Sequence, residues 1–142
     1  MPEQHSYDYA IIRIVPNVER GECINCGVIV FSRTRKYLAA TTALDKHRLR
    51  ALDPRADVDE IDAHLGFIPR ICAGDPEAGP IARLSQSERF HWLVAPRSAV
   101  IQFSCVHSGI CLDPAGALTR LVNCMVALPE PAAILDGGPL RE

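Results

Sequence analysis

The sequence predicts an α+β protein in which an antiparallel sheet of about four strands is covered by helices on one face. Strand patterns and helix patterns are segregated along the chain, in the order β-β-β-α-α-α-β-α. The first three strands are joined by short polar turns, whereas parallel strands would need crossovers of roughly a dozen residues. With 142 residues, of which 48% are apolar and 23% are charged, the chain has the composition of one globular domain.

The strands are predicted from β-branched and aromatic residues bounded by turn signals. Residues 7–15 carry Tyr, Ile and Val and end at Pro16, so they form the first strand. The next 7 residues (16–22) contain Asn, Gly and charged side chains, which is typical of a turn. The same criteria predict three further strands, at residues 23–31, 36–42 and 99–103.

The helices are predicted from N-cap residues and from apolar residues at helical spacing. Asp45 begins a short first helix that ends before Asp53. Asp57 and Glu60 begin the second helix, which Pro69 is expected to break or kink.

The third and fourth helices have equally clear beginnings. Ser85 and Glu88 form a capping box that opens a helix ending at Pro96. Asp113 followed by Pro114 opens the last helix, in which Leu118, Leu121, Val122 and Met125 form one apolar stripe.

We expect a single domain over residues 1–127 and a flexible tail over residues 128–142, which contain three prolines and two glycines. The first ten residues lack the basic start and apolar run of a signal peptide, and apolar runs are far shorter than the ~20 residues that cross a bilayer. The expected location is the cytoplasm, with no membrane partner. A net charge of −2 gives no global basic field for nucleic acid.

Six cysteines include the motif Cys23-Ile-Asn-Cys26-Gly27. A zinc site could combine this pair with Cys105, His107 and Cys111. A redox role is disfavoured because a strand, rather than a helix N-terminus, follows the motif. Thiols packed as small apolar side chains are the favoured interpretation, so we expect no metal and no cofactor.

Basic residues outnumber acidic ones by seven to two between residues 33 and 55. A phosphate-binding face could have this composition, but a solvated turn and helix face is the more ordinary explanation. Tyr37 is the only Phe, Tyr or Trp residue between positions 33 and 55, so these charges lack a series of aromatic side chains to stack on bases. Nucleic acid is therefore the less favoured partner, although this pattern does not exclude it.

Arg13 interrupts an apolar strand, where a charged side chain needs a partner. Glu19 and Glu22, in the turn that follows, are the expected partners, either in a structural ion pair or at a site. A second polar patch surrounds Pro96, where Arg97 and Ser98 follow the third helix. The candidate binding residues are Arg13, Glu19, Arg20, Glu22, Asn25, His91, Arg97 and Ser98.

The Pro96 corner is the predicted recognition surface, together with the 16–22 turn if that turn lies nearby. Trp and Arg are enriched in interface hot spots, and proline lowers the entropic cost of ordering the corner. We expect Trp92 to lie in the core, beside Phe90 and Leu93, and Arg97 to be exposed.

Three segments of the chain are distinctive when taken together: residues 7–16 (YDYAIIRIVP), 19–31 (ERGECINCGVIVF) and 90–98 (FHWLVAPRS). They resemble the bacterial family known as domain of unknown function 3037. The resemblance carries no established activity. Genes of this family can lie beside those of kinase-like toxin-fold proteins, which implies an accessory or regulatory role. Cys26 stands where the family more often has an apolar residue, which disfavours zinc.

The sequence therefore favours a non-catalytic binding or accessory protein that acts through contact with another protein. The alternative is a small enzyme that acts on a phosphorylated or nucleic-acid substrate, with Arg13, Glu19, Glu22 and His91 near its site. Convergence of these four residues in one pocket would favour the enzyme, whereas scattered side chains would favour the binding protein.

Overall fold

The computed structural model describes residues 3–129. Five strands form one antiparallel sheet: β1 (His5–Ile14), β2 (Ile24–Ser32), β3 (Tyr37–Thr42), β4 (Ile101–Phe103) and β5 (His107–Cys111). The four α-helices are α1 (Lys46–Leu52), α2 (Val58–Ala73), α3 (Gln86–Val94) and α4 (Pro114–Met125). The predicted α+β class is confirmed. Most of the predicted tail, from residue 130 onwards, lies outside the described residues.

The strands follow the order β3-β2-β1-β4, and β5 pairs with β1 as well. Residues 12–14 of β1 pair with β4, and residues 5–9 pair with β5. The strand β5 is not predicted by the sequence, because its residues His-Ser-Gly-Ile-Cys show little strand pattern. This segment becomes a strand because β1 is long enough to pair with two short strands in succession.

Helices cover both faces of the sheet, which corrects the expectation that they cover one face. On one face, α1, α2 and α3 pack through side chains such as Leu49, Leu65 and Phe90. On the other face, α4 packs through Leu118 and Leu121. The cause is β2, whose apolar side chains lie on both faces and need cover on each: Ile29 and Phe31 on the first, Val28 and Val30 on the second.

A β-bulge interrupts the pairing of β1 with β2. Ile12 pairs with Gly27 and Arg13 pairs with Asn25, so Cys26 is an extra residue on β2. Gly27 is required there because a Cβ on it would lie 2.5 Å from the backbone oxygen of Thr41. Ile12 faces the α1–α3 core, so the alternation along β1 places the side chain of Arg13 on the opposite face.

The predicted helix starts are confirmed. Pro69 was expected to break or kink α2, and the structure shows that the helix is not broken there. The caps Asp45, Asp57, Ser85 and Asp113 each accept a hydrogen bond from a backbone N–H of the first turn. Helix α2 continues through Pro69 to Ala73 and ends at Gly74, whose φ of 77° is left-handed. Ile71 and Cys72, in this last turn, are buried in the core, and their burial offsets the backbone bond that proline lacks.

Among the helices within residues 3–129, none is both long and apolar enough to cross a membrane.

Candidate functional site

The corner around Pro96 is held in shape by Arg97. Its guanidinium donates hydrogen bonds to the backbone oxygens of Trp92, Leu93 and Ala95, at the C-terminal end of α3. The same group lies over the Trp92 ring, with 4.8 Å between Arg97 Cζ and the ring centroid. Arg97 therefore caps the helix and stacks on an aromatic side chain, while it stays largely exposed as the sequence predicted.

A depression of about 600 Å³ lies beside this corner, on the α4 face of the sheet. We call it the cationic depression, because its lining contains two arginines and no acidic side chain among the described residues. Its polar lining consists of Arg13, Arg97, Ser98 and Gln102, with Cys23 at its margin. Val18 and Gly21 also line it, so the turn after β1 does lie near the Pro96 corner.

Arg13 is half-buried, but it forms no ion pair with Glu19 or Glu22, so the predicted pairing is wrong. Its Nε atom is buried and has no hydrogen-bond partner among the described residues. The cause is geometric: Arg13 points onto one face of the sheet, whereas Glu19 and Glu22 extend from an exposed turn. Its cross-strand neighbours are neutral, Asn25 on β2 and Gln102 on β4.

The acidic residues of the turn belong to another part of the surface. Glu22 accepts a hydrogen bond from Arg20 Nε at 2.6 Å, and both side chains are largely exposed. They line a separate depression of about 200 Å³ with Asp53 and Arg55, which follow α1. Glu19 is exposed and lines neither depression.

Asn25 and His91 have structural contacts of their own. The amide of Asn25 donates a hydrogen bond of 3.0 Å to the backbone oxygen of Met125, which ties the end of α4 to β2. His91 Nδ1 lies 2.7 Å from the backbone oxygen of Ser87, one turn earlier in α3. Of the eight candidate residues, Arg13, Arg97 and Ser98 line the cationic depression together, and Arg20 and Glu22 form a separate pair. Among the described residues, neither of these depressions contains all four residues proposed for an enzyme.

An apolar groove of about 460 Å³ lies on the opposite face, between α2 and β4. Phe67 and Trp92 line it and are 41% and 43% exposed, so the expectation that Trp92 is a core residue is wrong. Ile101 and Phe103 of β4 form its floor. Phe67 is not among the residues predicted from the sequence. A large aromatic residue outside the apolar stripe of α2 is the signal that could have indicated it.

The cysteines and histidine of the alternative zinc site are spread over the fold. Cys26 is buried in the core on the α1–α3 face, and burial raises the pKa of its thiol to about 12. Cys111 belongs to the core under α4, while Cys23 is exposed. Cys105 Sγ lies 3.5 Å from His107 Nε2, as an exposed pair. Within residues 3–129, no three His, Cys, Asp or Glu side chains are grouped so that they could hold a metal ion.

Fold and site together define a small α+β protein whose sheet edge separates an apolar groove from a cationic depression. Residues 9–126 match the family described as "Protein of unknown function (DUF3037)". The chain belongs to this family. No curated protein and no solved structure matches it.

Proposed function

We propose that this protein is a non-catalytic binding or accessory module that acts through contact with another protein. Its recognition surface is the Pro96 corner, which joins the apolar groove to the cationic depression. The observation that carries the proposal is the exposure of Phe67 and Trp92 in the lining of one groove. Large aromatic side chains in a half-open groove are the usual anchors of protein interfaces.

The arginines at the corner add polar recognition to this apolar contact. Arg97 lines both the groove and the cationic depression, and Arg13 lies in the depression. Arginine is enriched in interfaces because its planar head forms paired hydrogen bonds with carboxylates. The surface therefore suits a partner segment that carries apolar and acidic side chains.

The enzyme alternative finds less support in the geometry. A general base needs to lie within hydrogen-bond reach of the group on which it acts. Glu22 is engaged by Arg20, and His91 is exposed on α3 away from Arg13. A catalytic role for Arg13, Glu19, Glu22 and His91 would require these side chains to converge.

Affinity capture with the tagged chain, expressed at its native level, identifies the partner. A kinase-like toxin-fold protein is the first candidate to purify, since the family resemblance implies a partner of this kind. Titration of the purified partner then compares Phe67→Ser and Trp92→Ser with the control Ile110→Ser, whose side chain is 60% exposed on β5. We expect each groove variant to weaken binding at least tenfold and the control to leave it unchanged. Equal affinities for all three variants, with unchanged melting temperatures, would refute the proposed surface.

A further inference from the structure

The open edge of β4 is the feature that joins the two parts of the proposed surface. In the sheet order β3-β2-β1-β4, β4 is a terminal strand, and β1 is its only strand partner among residues 3–129. Edge strands expose unpaired backbone N–H and C=O groups to which another extended chain can bind. β4 contains no proline and no charged residue, two of the devices that block such pairing, and with three residues it is a short edge strand.

The hydrogen-bond pattern shows which groups of β4 point outwards. Val15 N donates to Val100 O at 2.7 Å, and Ser104 N donates to Ile11 O at 2.8 Å. In an antiparallel pair, residues alternate between those that bond to the partner strand and those that do not. Val100, Gln102 and Ser104 therefore face β1, and the backbone groups of Ile101 and Phe103 face the open edge.

The two faces at this edge differ in chemistry. The side chains of Ile101 and Phe103 lie on the face of the apolar groove, while Gln102 lies on the face of the cationic depression with Arg13. A strand added beside β4 would place successive side chains on these two faces in turn. The edge therefore suits a segment in which apolar and acidic residues alternate.

We propose that β4 binds an extended segment of a partner protein as an additional strand, with apolar side chains in the groove and an acidic side chain at Arg13. This inference rests on the proposed function and specifies the class of partner. The positive charge of the depression selects the acidic residue, and the outward groups of Ile101 and Phe103 hold the backbone. The buried Nε of Arg13, which has no hydrogen-bond partner in the described part of the chain, belongs to the side chain that would meet the carboxylate.

The test uses a blocked, fluorescent seven-residue peptide that alternates leucine with glutamate, titrated with the full-length chain. A peptide with lysine in place of glutamate is the first control. Two further glutamate peptides are N-methylated on alternate residues, one on the odd positions and the other on the even positions. Only one of the two therefore loses the backbone N–H groups that would face β4. We expect the glutamate peptide to bind at least tenfold more tightly than the lysine peptide, and only one N-methylated peptide to lose binding.

Variants of the protein complete the experiment. Arg13→Gln is expected to weaken binding of the glutamate peptide at least tenfold, and Arg33→Gln, at an exposed turn, is expected to leave it unchanged. Arg13→Glu, if it folds as judged by its melting temperature, is expected to prefer the lysine peptide. Equal binding of both peptides or equal effects of both N-methylation patterns would overturn the inference. An absence of binding at a protein concentration of about 1 mM, which detects Kd values of about 1 mM, would overturn it as well.

Sedimentation and truncation of the same protein distinguish the other possible occupants of the β4 edge. A chain that sediments as a dimer and loses peptide binding on dimerisation would show that a second copy occupies the edge, which overturns the inference. Binding that appears only after removal of residues 130–142 would assign the edge to that segment and overturn it as well. If a purified partner depends on Phe67 and Trp92 but not on Arg13, this inference fails and the proposed function stands.

Discussion

The guanidinium of Arg97 stacks on the indole ring of Trp92 and also caps the helix that carries this tryptophan. One side chain thus fixes the end of α3, the orientation of an exposed aromatic ring and the start of the connection to β4. Substitution of Arg97 therefore changes the stability of the corner as well as its charge. Binding data for such a variant need a stability measurement beside them.

Arg97→Ala is expected to lower the free energy of unfolding by about 1 kcal/mol, because a cation at a helix C-terminus and an exposed cation–π contact each contribute about 0.3–1 kcal/mol. For a domain of this size, this corresponds to about 3 °C in melting temperature. Arg97→Lys keeps the charge but not the planar guanidinium. Its free energy of unfolding should lie between those of the wild-type protein and Arg97→Ala. Identical thermal unfolding of all three proteins would contradict the capping role.

Glycine to alanine substitutions at Gly27 and Gly66 should have opposite effects. A Cβ on Gly27 would lie 2.5 Å from Thr41 O. A Cβ on Gly66, in α2, would have no neighbouring atom of the described residues within 4 Å. We expect Gly27→Ala to destabilise the protein by about 2 kcal/mol or more, since the strand must shift. Gly66→Ala should stabilise it by about 0.5–1 kcal/mol. Denaturant unfolding of both variants tests the bulge, which would be misplaced if Gly27→Ala were neutral.

Ser104→Ala tests the junction between β4 and β5. The buried Ser104 Oγ accepts a 2.8 Å hydrogen bond from Ile11 N and donates one of 2.9 Å to Cys105 O. Removal of the hydroxyl leaves a backbone N–H in β1 unsatisfied, which costs about 1–3 kcal/mol. Ser98→Ala, at an exposed serine, is the matched control and should change stability by less than about 0.5 kcal/mol.

The six cysteines should divide into two groups in their reactivity. Cys23, Cys105 and Cys124 are exposed, while Cys26, Cys72 and Cys111 are buried. Burial raises the pKa of Cys26 and of Cys72 to about 12, so few thiolates form there at neutral pH. Iodoacetamide treatment of the native protein at pH 8, followed by peptide mass analysis, should label the three exposed thiols and spare the buried three. Early labelling of Cys26 would contradict its place in the core.

The same burial makes stability fall at alkaline pH. The thiols of Cys26 and Cys72 ionise near pH 9 in the unfolded chain but only near 12 in the native protein. Unfolding therefore releases protons above pH 9, and each thiol lowers the free energy of unfolding by roughly 1.4 kcal/mol per pH unit up to pH 12. Below pH 9 this stabilising contribution is fully present. Cys26→Ala should flatten the decline between pH 9 and 11, and Cys124→Ala should leave it unchanged.

Local patterns in the sequence were sufficient for most of the secondary structure. Asp57, Ser85 and Asp113 cap the helices that they were predicted to cap, because an N-cap acts through backbone atoms two or three residues away. Pro69 does not end α2, because the free-energy cost of a proline in the helix is smaller than the stabilisation from burying Ile71 and Cys72 in the turn that follows. The strand β5 escaped prediction because its pairing with β1 joins residues about 100 positions apart.

The candidate site was predicted only in part. Arg97 and Ser98 were recognised from the Pro96 corner, and Arg13 from its charge in an apolar strand. Their convergence depends on the pairing of β1 with β4, which brings Arg13 beside Gln102. Phe67 is contributed by α2, and no local sequence pattern could place it in the same groove as Trp92.

By itself, the sequence determined the α+β class, the family and the positions of the caps, because these depend on composition and on neighbours a few residues apart. Only the tertiary structure decided that Arg13 has no ionic partner within residues 3–129. It also decided that β4 divides an apolar groove from a cationic depression. The face on which a strand residue lies depends on register, and a single bulge at Cys26 changes that register along β2. Register is set by long-range packing of helices on both faces of the sheet, and local sequence patterns do not encode it.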